Sequence, residues 1–111
     1  MDRRERKAAV AIYKERKPAA GVYAILCTAT GEAWVGRSRN VEAQKNRVWF
    51  ELGLGGSRHA SLQAAWTEHG RREFRFEELE RLREDFPDYA RDDELKTRQA
   101  LWAARLKASA L

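Results

Sequence analysis

Residues 21–36 read GVYAILCTATGEAWVG, and this stretch decides the fold. GVYAILCT (21–28) is a continuous apolar run rich in strand formers, which predicts a buried strand. ATGE (29–32) carries a glycine and reads as a hairpin turn. AWVG (33–36) supplies the return strand. Two strands this close in sequence pair antiparallel.

On the N-terminal side, residues 3–16 predict a helix. Ala8, Ala9, Ile12 and Tyr13 form a weak apolar stripe among charges. Pro18 stops it and pushes Lys17 towards an extended conformation. The expected organisation is a basic N-terminal helix over 1–18 and one domain over 19–108.

On the C-terminal side, Asn40 is placed to cap a helix over about 41–52. Its stripe is Val41, Gln44, Val48 and Leu52. GLGGSR (53–58) is a loop with three glycines. A second helix spans about 59–69, with Leu62, Ala65, Trp66 and His69 on one side and Gly70 as its stop. EFRFEEL (73–79) alternates apolar and polar residues, which suits a strand with one covered face. REDFPDYAR (83–91) reads as an acidic loop. Asp92 or Asp93 then caps a last helix to about 107, with Leu95, Gln99, Trp102 and Leu106 as its stripe. The fold class is α+β: a small three-stranded antiparallel sheet flanked by helices, in the order α-β-β-α-α-β-α.

The chain has 111 residues, 22 Lys+Arg against 17 Asp+Glu, and a net charge of +5. One domain fits that length. No apolar run approaches the ~20 residues of a membrane span, so no membrane partner is expected. MDRRERK lacks the apolar segment of a secretory signal. Cys27 is the single cysteine, which excludes an intramolecular disulfide, and no Cys/His spacing suits zinc. A small soluble cytoplasmic protein is the expectation. The charge is uneven: residues 1–17 hold seven basic and three acidic side chains, whereas 60–88 hold five basic and eight acidic. Such a distribution permits a polyanion partner without requiring one.

Gln44 and Gln99 occupy positions where helical periodicity asks for an apolar residue. Burying an unpaired amide costs roughly 1–3 kcal/mol. Each glutamine is therefore either satisfied by partners or lines a cleft.

The paired tripeptides Gly21-Val22-Tyr23 and Trp34-Val35-Gly36 resemble those of the GIY-YIG nuclease family. The GE-type turn, the Asn40 cap, the Leu62-Gln63, Trp66 and His69-Gly70 helix, the Phe74-Arg75-Phe76-Glu77 strand and the closing helix with Trp102 follow in the family's order. The likeness covers about residues 19–106. Tyr13-Lys14-Glu15-Arg16-Lys17-Pro18 is similar to the approach found in a branch of short bacterial members.

The resemblance implies a fold and a chemistry. In the family a phenol serves as, or assists, the general base that activates water, an arginine offsets phosphate charge, and a glutamate binds one divalent metal ion. Tyr23 matches the first tyrosine. Trp34 stands at the second; its indole donates but has no base function. The arginine position falls on Gln44, with Val48 four residues on. The glutamate position falls on Gln99. The pattern implies a nuclease fold with a dismantled hydrolytic site.

Other residues compete for these roles. Lys45 or Arg47 could supply the missing cation, and Asp92, Asp93 and Glu94 could hold a metal or simply complement the helix dipole. His59 and His69 read as loop and helix-end residues. Trp49, Trp66 and Trp102 read as core, and Trp34 as core or a stacking surface. Arg37, Arg39, Arg47, Arg58, Arg71 and Arg72 are the candidate nucleic-acid contacts. Three functions remain open: a DNA-binding domain with weak or no cleavage, an active endonuclease dependent on Mg²⁺ or Mn²⁺, or a protein-interaction module that keeps only the fold.

Overall fold

A computed structural model describes residues 19–111. The helix expected over 3–16 lies outside the described residues. The hairpin comes first, as β1 (Gly21–Cys27) and β2 (Ala33–Ser38). Helices α1 (Val41–Gly53) and α2 (Ala60–His69) follow, then a short 3₁₀ turn (Arg71–Glu73) and β3 (Phe74–Arg81). The chain closes with α3 (Asp88–Leu106) and a two-residue strand, β4 (Ser109–Ala110).

The sheet order is β3-β1-β2-β4. β1 pairs antiparallel with both neighbours, Tyr23 lying opposite Gly36 on β2 and Glu78 on β3. β1 is therefore central, and six of its seven residues are buried, with Leu26 half-buried. An apolar run without alternation is what two covered faces demand. Tyr23, Ile25 and Cys27 face one side with Trp34 and Phe74, and they pack under Val48 and Leu52 of α1 and Leu62 and Ala65 of α2. Val22, Ala24 and Val35 face the other side, under Trp102 and Ala103 of α3.

Two expectations are corrected. The sheet has four strands and is mixed, because β4 pairs parallel with β2 through Trp34–Ser109 and Val35–Ala110. Lys107 takes a left-handed φ of 53°, and Ala108 N–H donates to Ala103 O at 2.8 Å. This helix-terminating turn sends the chain back along β2. The last helix also begins earlier than Asp92. Pro87 sits at its N-cap position with φ −59°, and Asp88 lies in the first turn. Proline is preorganised for a helix start, and an acid there complements the dipole. The part of the acidic stretch after Pro87 is thus helical. The buried stripe of α3 runs through Leu95 and Gln99, while Leu106 at the helix end is exposed.

Gly21 lies tight against β3. A Cβ there would collide with the backbone oxygen of Glu80, next to the register shift between Val22 and Tyr23. Backbone cannot yield as a side chain can, so Gly21→Ala should destabilise the fold by about 1–3 kcal/mol in urea unfolding. A Cβ on Gly53 meets nothing within 4 Å. Gly53→Ala should be neutral or stabilising by up to about 1 kcal/mol in the same assay.

Candidate functional site

At the C-terminal end of β2 the sequence Arg37-Ser38-Arg39-Asn40 leaves the sheet and enters α1. Asn40 caps the helix, its side-chain oxygen accepting from Ala43 N–H at 3.1 Å. Ser38 Oγ accepts from Asn40 N–H at 3.0 Å, which fixes the entry angle. Ala43, Gln44 and Arg47 follow at helical spacing on one side of α1. Together these residues line a cleft of about 600 Å³: Arg37, Ser38, Arg39, Asn40, Ala43, Gln44 and Arg47. Three are arginines and none is an acid.

Beneath the wall lies a small polar network. Ser38 Oγ donates to Gln44 Oε1 at 3.1 Å, and Gln44 Nε2 donates to the Tyr23 hydroxyl at 3.4 Å. Tyr23 is buried, with its ring stacked on Phe76 at 4.9 Å between centroids. Its phenol end lies against Gly36, where a Cβ would overlap it. The glycine that ends the second tripeptide thus makes room for the tyrosine that ends the first. Burial raises the Tyr23 pKa above the ordinary 10.0; the bond from Gln44 opposes this, and the charge of Glu51 adds to it. At neutral pH the phenol is protonated.

Trp34 does not reach the cleft. It is buried, packs on Phe74 at 6.3 Å, and its indole N–H donates to Ser61 Oγ at 2.9 Å. Gln99 lies behind the cleft, on the α3 side of the sheet. Its Nε2 donates to Val35 O at 2.8 Å and Leu111 O at 3.0 Å, and its Oε1 accepts from Arg37 Nη1.

The remaining candidates divide by location. Arg39 pairs with Asp92 through two bonds, at 2.6 and 3.2 Å, and the guanidinium holds the Asp92 carboxyl below its ordinary range. Lys45 faces a different groove, shared with Val41, Glu42, Phe76 and Glu78, so Arg47 alone of that pair lines the cleft. Glu94 bonds Arg98, which also bonds Glu80. Asp93 is exposed. Arg71 stacks over the Trp49 ring at 4.5 Å, and Trp49 stacks on Trp66. Arg58 and Arg72 are exposed, outside the cleft. His59 is the N-cap of α2, and His69 lies in its last turn with Nε2 3.7 Å from Glu68. Sequence reading missed the cluster of Glu80, Arg98 and Trp102, whose indole N–H donates to Glu80 Oε1 at 2.9 Å. It spans β3 and α3, and no spacing in sequence links them.

A divalent metal needs oxygen ligands of negative charge. The cleft wall offers none; of the acids beside it, Asp92 is held by Arg39, and Glu51 lies 3.8 Å from Arg47. Among the described residues no group of three or more His, Cys, Asp and Glu is arranged to hold a metal. The described residues that line the cleft do not fit Mg²⁺ or Mn²⁺.

Two solved structures resemble this one. The catalytic domain of homing endonuclease I-TevI superposes with a TM-score of 0.70 at 22% identity, covering 83% of this chain and 97% of that one. A mutant form of the catalytic domain of intron endonuclease I-TevI gives 0.68 at 24% identity, covering 80% and 84%. I-TevI is a GIY-YIG homing endonuclease, so the fold of this chain is GIY-YIG-like. No family model and no curated protein matches the chain. Among the described residues, no helix is long and apolar enough to cross a membrane.

The buried phenol gives a direct test. Between pH 10.0 and the raised native value, the unfolded chain loses its Tyr23 proton first, so stability falls as pH rises. Below pH 10.0 both states are protonated and the contribution is complete. Wild type minus Tyr23→Phe should show an absorbance titration at 295 nm with its midpoint above 10.0. Wild type should also lose stability more steeply above that pH than the variant.

Proposed function

We infer that this chain binds DNA through the cleft at the end of β2, with weak or no cleavage. The observation that carries this reading is the composition of the cleft wall: three arginines, no acid, and a glutamine amide bonded to the Tyr23 hydroxyl. Arg37, Arg39 and Arg47 present planar donors suited to phosphate oxygens. Phosphate contacts of this kind give affinity and orientation without reading base sequence. The likeness of the fold to an endonuclease catalytic domain supports a DNA-related role.

Hydrolysis asks for more than phosphate binding. Negative charge builds on the non-bridging oxygens, and a proton must leave the attacking water. Gln44 is neutral, Tyr23 is a protonated phenol, Trp34 is turned into the core, and Gln99 is occupied by backbone carbonyls and Arg37. These placements support binding over cleavage. A neutral amide at 44 and another at 99 also avoid leaving one charge buried without its opposite, which would cost several kcal/mol.

Binding to a short DNA duplex, followed by fluorescence anisotropy, should weaken steeply with salt. Replacing Arg37, Arg39 and Arg47 with Ala should each lower the slope of log K against log salt by about 1. Supercoiled plasmid should remain intact with Mg²⁺ or Mn²⁺. Nicking that Tyr23→Phe abolishes would establish the nuclease alternative. Absence of any salt-dependent binding would point to a protein-interaction module.

A further inference from the structure

Gln99 is 3% exposed and is the one buried polar side chain among the described core residues. It makes three hydrogen bonds. Nε2 donates to Val35 O and Leu111 O, at 2.8 and 3.0 Å, and Oε1 accepts from Arg37 Nη1. The partners dictate the orientation of the amide. Two carbonyl oxygens require the NH₂ side, and a guanidinium, which only donates, requires the oxygen side. Ionised glutamate only accepts, and methionine lacks a hydrogen-bond donor. Leu111 N–H also donates to Val35 O at 2.9 Å, so the same carbonyl anchors both the last strand and the amide.

Of the residues that line the cleft, Arg37 is the one hydrogen-bonded to Gln99. As a residue it is exposed, yet one of its guanidinium nitrogens is fastened to a buried acceptor. A long cation that would otherwise sample many rotamers is thereby held where the cleft needs it, and less entropy remains to be lost on binding phosphate. We propose that Gln99 is a positioning residue: its buried amide ties the C-terminal strand and the Val35 carbonyl to the Arg37 guanidinium and fixes that cation at the cleft. This rests on the DNA-binding reading for its consequence, though not for its geometry.

The test uses the full chain with arginine and glutamine side-chain NMR alongside duplex binding. In wild type, the Arg37 guanidinium should show hindered rotation, with resolved Nη resonances, and the Gln99 Nε2 protons should be protected from exchange. Gln99→Met keeps the length but removes the polar atoms. It should return the Arg37 signals to fast averaging and lower the salt slope by about 1, as Arg37→Ala does, and the double variant should lower it no further. Arg37→Ala should shift the Gln99 amide resonance, and it provides the readout should Gln99→Met fail to fold. Gln99→Glu should lose the bonds to Val35 and Leu111. The proposal is overturned if Arg37 signals are averaged in wild type, or if Gln99→Met lowers Tm while Arg37 signals and salt slope stay at wild-type values. A wild-type protein that binds no duplex would overturn the proposed function, and the NMR comparison would then decide the role of Gln99.

Discussion

β1 is covered on both faces and paired on both edges, and that constraint sets where everything else can go. A central strand in this position must be apolar along its whole length, and its backbone groups must all be bonded to β2 and β3. Helices are then required on both sides of the sheet. α1 and α2 cover the face of Tyr23, Ile25 and Trp34, while α3 covers the face of Val22, Ala24 and Val35. β2 is one residue position away from the same burial, but its last residues run beyond the cover. Arg37 and Arg39 are the first exposed positions after Gly36 apart from half-buried Ser38. The cleft is what remains where the sheet ends and α1 begins.

Period-two alternation along β2 explains how the cleft draws on both layers. Gly36 and Ser38 share the α1 face, where Tyr23 and Gln44 meet. Val35 and Arg37 share the α3 face, where Gln99 bonds both. One neutral amide, Gln44, therefore lies in the cleft wall, and another, Gln99, lies behind it on the other side of the sheet. Gln44 is part of the wall, and Gln99 acts through Arg37. Of the three cleft arginines, Arg37 is held by a neutral amide, whereas Arg39 and Arg47 lie in exposed pairs with Asp92 and Glu51 that salt screens readily.

Much of the fold is legible in the residues. The hairpin follows from a continuous apolar run, a glycine turn and a second run. α1 follows from the Asn40 cap and the stripe of Val41, Val48 and Leu52. β4 is not legible, because a two-residue strand has no period and forms only when the turn at Lys107 aims it at β2. The start of α3 is hidden because Pro87 and the acids around it suit a loop and a helix start equally well. For the site, periodicity marks Gln99 as buried, yet a helical stripe does not say which face of the sheet it meets. Nor can a stripe reveal that the partners of its amide are backbone carbonyls and an arginine from 62 residues away. Gln44 is easier, since the cap at Asn40 fixes its phase relative to β2.

The proposed DNA-binding surface is the cleft formed by Arg37, Arg39, Gln44 and Arg47. Titrating isotope-labelled protein with a short duplex at low salt, and following backbone amide shifts, tests it most directly. The largest shifts should fall on residues 37–47 and vanish as salt is raised. Shifts centred on the opposite groove, lined by Glu80, Leu101, Trp102 and Arg105, or no shifts at low salt, would contradict it.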